Sequence, residues 1–205
     1  MKLSIFLLLS SIFIGVLPID SPSDFNNKLN SIARDLNNVI MKPDECNSLH
    51  YRAEAVEDEI EKALSNKDEY TKEEIIELKS LLKESEALQD YISIVALGKN
   101  GTFDLSDLYR ANKRVGATIS TVSTGKFCVD VITISIGNHI TYLLQNKTNT
   151  DYNLSYKYKL KNGLELGRGT MTVVQKAVRP IYTNNEKPSQ KSILVYGITC
   201  KELKH

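Results

Sequence analysis

The chain has 205 residues, 41% of them hydrophobic and 25% charged, the ordinary make-up of a globular protein. Its net charge of +1 gives no electrostatic case for nucleic acid or for a membrane surface. The charge is uneven, however: residues 24–97 hold 17 acidic and 9 basic side chains, residues 98–205 hold 7 and 16. Such a split has two readings, halves that attract each other or a basic half that meets an anionic partner.

Residues 1–20 read as a secretory signal peptide. Lys2 gives the positive start, Leu3 to Leu17 the apolar core, and Pro18, Asp20 and the Ser21-Pro22-Ser23 cluster the polar exit. The core is shorter than the roughly 20 residues that span a bilayer, which disfavours a membrane anchor. About 185 residues remain after cleavage, enough for one sizeable core or two small ones.

Residues 21–98 read as a helical region. Ser21 and Pro22 open a first helix running to about Ile40, with Leu29, Ile32, Leu36, Val39 and Ile40 at helical spacing. A second runs from Asp44 to Ser65 on Leu49, Ala53, Val56, Ile60 and Leu64. The third opens on the capping box Thr71-Lys-Glu-Glu74, with Tyr70 and Ile75 as a staple, and ends at Gly98. Ser85 interrupts its apolar stripe. Short connections imply an antiparallel bundle or hairpin.

Residues 99–205 read as a β domain after one short helix at Leu105–Lys113. Tyr152, Leu154, Tyr156, Tyr158 and Leu160 alternate with Asn153, Ser155, Lys157, Lys159 and Lys161, giving one buried and one wet basic face. Asn162-Gly163 turns that strand into Leu164–Val174, and Gly137-Asn138 joins Lys126–Ile136 to His139–Gln145. Val115–Ser123, Val178–Tyr182 and Ser192–Cys200 complete the set. The expected fold is α+β, a helical bundle or hairpin followed by an antiparallel β-sandwich of immunoglobulin-like architecture.

The chemistry-bearing residues are few. Cys128 and Cys200 lie in the first and last strong strand patterns of the β half and are expected to pair, which leaves Cys46 inert or pairing between chains. His50, His139 and His205 have no metal-ligand spacing, and Glu54, Glu57, Asp58, Glu59 and Glu61 read as a solvated face. Gly163, Gly167 and Gly169 lie in a hairpin, so they suit a bulge rather than a phosphate loop. Asn100, Asn146 and Asn153 open glycosylation sequons. Lys157, Lys159 and Lys161 are the candidate partner-binding residues.

These readings lead to an exported, non-enzymatic binding protein without cofactor or metal. Its partner is expected to be an extracellular protein, met through loops or the basic face, and not nucleic acid. The alternative is a membrane-active protein of toxin or pore-forming type, whose amphipathic helices leave the sheets. The lack of Trp and the few cations on the first helix weigh against it.

Overall fold

The computed structural model describes residues 19–38, 42–137, 139–184 and 192–204. All but the last two residues of the expected signal peptide, together with Asn138 and His205, lie outside the described residues.

Among the described residues, four α-helices come first: α1 (Pro22–Asn38), α2 (Pro43–Ser65), α3 (Lys72–Tyr91) and α4 (Leu105–Val115). Each starts on a sequence signal. Ser21 Oγ accepts from the Asp24 N–H and Asp24 Oδ2 accepts from the Ser21 N–H, so α1 carries a reciprocal cap. At α3 the capping box is complete: Thr71 Oγ1 accepts from the Glu74 N–H at 3.2 Å, and Glu74 Oε2 from the Thr71 N–H at 2.8 Å. The interruption at Ser85 is also explained. Its hydroxyl is buried and donates to the Ala53 carbonyl of α2 at 2.9 Å, a bond that ties the two helices together.

The end of α3 departs from the expected simple stop. It runs into a π turn over Ile92–Ala96 before Gly98. Val115, read as the start of a strand, is instead the last residue of α4 and is buried. Asp104 caps α4, and Gly116 closes it in the left-handed region at φ 72°. The next strand therefore begins only at Thr118.

Among the described residues, eight strands form two antiparallel sheets. Five of them, β1 (Phe103–Asp104), β2 (Thr118–Ser123), β3 (Val129–Ile136), β4 (His139–Asn146) and β7 (Ala177–Asn184), are ordered β1-β7-β4-β3-β2. The other three, β5 (Tyr152–Leu160), β6 (Glu165–Val173) and β8 (Ile193–Glu202), are ordered β6-β5-β8. The two-residue β1 escapes a pattern search because it is too short to show alternation.

Alternation along β3 and β4 sends side chains into two different cores. Ile132, Ile134, Ile136 and Leu143 pack with Leu29, Ile60, Leu88, Tyr91 and Leu108 of the helices. Val129, Val131, Ile140, Tyr142 and Leu144 pack instead with Tyr152, Leu154, Tyr156 and Ile198 of the smaller sheet. The result is three layers, with the five-stranded sheet in the middle. Each fully buried aliphatic or Phe side chain stabilises this arrangement by about 1.5–3 kcal/mol.

The disulfide joins the two sheets. Cys128, just before β3, bonds Cys200 on β8 across a Cα–Cα distance of 6.6 Å and a sequence separation of 72. Closing a loop of that length stabilises by about 4 kcal/mol on the chain-entropy account. Cys46 sits in the helical core at 1% exposure, with burial pushing its thiol up. An interchain disulfide through Cys46 is thus out of reach in the folded chain.

Direct ion pairs are a small part of what joins the halves. Among the described residues one ion pair crosses between them, Arg114 of α4 with Glu84 of α3. Arg114 also donates to the Asn26 and Asn30 side-chain carbonyls of α1, which fixes α4 against two helices. The apolar core does the rest.

Candidate functional site

The basic strand face predicted at Lys157 and Lys159 lies on the outer side of the smaller sheet. Tyr152, Leu154 and Tyr156 are buried between the sheets, so the intervening side chains face away. Pairing then sets up three rows across the face: Thr172–Asn153–Lys201, Thr170–Ser155–Thr199 and Arg168–Lys157–Tyr196. Lys157 is exposed, and Lys159 is half-buried with its ammonium 5.0 Å from the centroid of the Tyr196 ring. Lys161 is exposed in the hairpin turn at the end of the face.

Arg168 and Lys201 join this face although sequence patterning did not single them out. Their strands carry weaker alternation, so only the register reveals them. Glu165 opposes Lys159. None of the ion pairs formed among the described residues uses Lys157, Lys159, Arg168 or Lys201. Two shallow hollows of about 520 and 410 Å³ run along the face and share Ser155 and Thr170. Gly197, at φ 61° in a bulge opposite Tyr156, opens the second hollow beside Lys157.

The glycines of β6 serve the inner face. Gly169 pairs with Tyr156 and Gly167 with Tyr158, and each tyrosine ring lies over its glycine. The expected bulge is present next to them, where the register shifts between Tyr158 and Lys159. The inward reading of Tyr152 and Tyr156 holds at 7% and 8% exposure.

A third hollow, a cavity of about 460 Å³, opens at the seam between β6 and β7. Arg179, Asn100, Tyr156, Met171, Tyr182 and Thr183 are among the residues that line it. Arg179 Nη1 donates to the Thr172 carbonyl at 2.9 Å and Nη2 to Asn100 Oδ1 at 2.7 Å.

The sequons divide. Asn153 and Asn100 are exposed. Asn146 is 1% exposed, and its side-chain nitrogen donates to the carbonyls of Thr150, Val173 and Val174. A glycan on that nitrogen is incompatible with the folded position, so the surface sequon expected at Asn146 is instead a turn-forming residue.

The two described histidines sit in separate elements, His139 on β4 and His50 on α2. His139 is buried, and its Nε2 meets the Val95 carbonyl at 2.9 Å. Thr141 donates to the same carbonyl. A carbonyl only accepts, so the facing Nε2 carries the proton. His50 is half-exposed on α2. On the helical layer, partial desolvation and then Glu57, Asp107, Asp90 and Glu61 hold the Glu86 carboxyl above its ordinary range. Desolvation and Asp107 do the same at Asp90, against a smaller opposing pull from His50. Among the described residues, no group of three or more His, Cys, Asp or Glu is placed to hold a metal ion.

No protein-family model matches this chain, and neither a curated protein nor a solved structure matches it.

Proposed function

We propose that this is a secreted, non-enzymatic binding protein that recognises an acidic surface of an extracellular protein through the outer face of its three-stranded sheet. The observation that carries the reading is the set of outward cations Lys157, Lys159, Arg168 and Lys201 on the layer farthest from the acidic helices. Lys161 extends the set at the turn. The signal-peptide pattern and the Cys128–Cys200 disulfide support export. The shared inter-sheet core and that disulfide support an immunoglobulin-like scaffold. The membrane-active alternative would require the helices to abandon the core they share with the five-stranded sheet. No described helix is long and apolar enough to cross a membrane.

The test is a panel of extracellular proteins screened by biolayer interferometry against the mature chain and the Lys157→Glu, Lys159→Glu, Lys161→Glu triple variant. The reading expects a partner whose binding weakens with salt and is lost in the triple variant. A partner held equally by both chains, or binding insensitive to salt, would overturn it.

A further inference from the structure

We infer that the seam cavity between β6 and β7 binds a small oxyanion, a carboxylate or phosphate on a polar body, with Arg179 as its counter-charge. Arg179 pairs with Leu144, whose side chain lies in the inter-sheet core, so the arginine stands on the same inward face of its sheet. From there it reaches across the seam. Its two contacts are a backbone carbonyl on β6 and the Asn100 amide after α3, both neutral. Its Nε is enclosed and has no hydrogen-bond partner.

A guanidinium cannot shed its proton, so a half-buried arginine remains a cation. Enclosing its Nε without a partner is unfavourable, and an anion facing the guanidinium would offset that. None of the ion pairs among the described residues involves Arg179. Among the described residues, no carboxylate pairs with this charge at the cavity wall.

The surrounding groups suit an oxyanion. The fork of N–H donors matches a carboxylate or phosphate. Tyr156 lies over Gly169, its hydroxyl oxygen the atom nearest to that glycine's β position, and it also lines the cavity. Thr183 and Asn100 add further polar groups to the lining, and Met171 and Ile181 add a small apolar part. The volume of about 460 Å³ falls in the range of small-molecule sites, roughly 300–1,000 Å³. The lining comes from the loop after α3, from β7 and from the smaller sheet, so all three layers meet there.

The competing account is that Arg179 only clamps Thr172 and Asn100. Isothermal titration of the mature chain separates the two, using sodium phosphate in one arm and sodium glucuronate in the other at constant ionic strength. The inference expects saturable one-site binding in at least one arm, and the arms identify which oxyanion is preferred. Arg179→Gln should weaken it by roughly tenfold or more. Tyr156→Phe leaves both arginine bonds in place and should weaken it by a smaller factor. The triple lysine variant should bind the small anion as the wild type does, which keeps this site separate from the sheet face. No saturable binding in either arm, or equal binding by wild type, Arg179→Gln and Tyr156→Phe, would leave only the clamp and overturn the inference. Should Arg179→Gln fail to fold, the comparison with Tyr156→Phe decides.

Discussion

Removing both donors to the Val95 carbonyl should cost much more than the two single removals combined. This carbonyl lies in the π turn that ends α3, where the Leu97 N–H bonds Ile92 O and the Lys99 N–H bonds Ser93 O. Val95 is fully buried, and its oxygen takes its bonds from His139 Nε2 and Thr141 Oγ1 on β4. Thr141→Val keeps the shape and removes one donor, at about 1 kcal/mol. His139→Leu removes the other at a similar loss of bonding, plus a repacking cost. Either single variant leaves the carbonyl one partner. The double variant leaves it buried with none, which adds the desolvation penalty of about 1–3 kcal/mol. A double-mutant cycle by urea unfolding, followed by circular dichroism and tyrosine emission, reads that coupling. The chain has 10 tyrosines and no tryptophan, so the emission reports on tyrosine alone. Additivity within about 0.3–0.5 kcal/mol would refute the reasoning, since it would mean that the oxygen has another donor or water.

Two further outcomes are expected. A Cβ at Gly169 would stand 2.5 Å from the Tyr156 hydroxyl oxygen and 2.6 Å from its ring carbon, so the ring must shift. Gly169→Ala should therefore destabilise by about 1–2 kcal/mol, overpacking less the backbone entropy gain, and a neutral or stabilising result in urea unfolding would contradict the stacking. The melting temperature should also respond to pH in two limbs. Glu86 and Asp90 titrate above their ordinary range, so their contribution is lost as pH rises through those values and returns on mild acidification. Hydrogen bonds from Ser21, Thr71 and Ser106 hold Asp24, Glu74 and Asp104 below theirs, so that contribution persists at neutral pH and is lost in stronger acid. Melting curves of Glu86→Gln with Asp90→Asn should lack the first limb; its survival would mean that other groups produce it.

What the sequence discloses here is what depends on near neighbours. The capping box at Thr71, the alternation from Tyr152 to Leu160 and the Asn162-Gly163 turn each rest on residues a few positions apart, and the structure keeps all three. Cys128 and Cys200 were legible from strand position and redox logic together. The buried polar residues were not. Ser85, His139, Thr141 and Asn146 bond backbone carbonyls, and those of Ser85, His139 and Thr141 lie 32 to 46 positions away. A carbonyl is present at every residue, so no side-chain pattern marks the partner. The same limit hid Arg179, which matters only because β6, β7 and the loop after α3 converge on it.

The burial of β3 and β4 on both sides divides the chain by how freely it can change. A substitution in Leu143 or Leu144 disturbs a neighbour above or below, because neither strand has a solvent side along most of its length. The outward residues of β5, β6 and β8 touch no core, so their identities can drift while the scaffold stays fixed. A library randomised at Asn153, Ser155, Lys157, Arg168, Thr170 and Thr199 would vary the surface of a framework already braced by the disulfide and by the helices behind it. Divergence among descendants of this chain should gather on that one face.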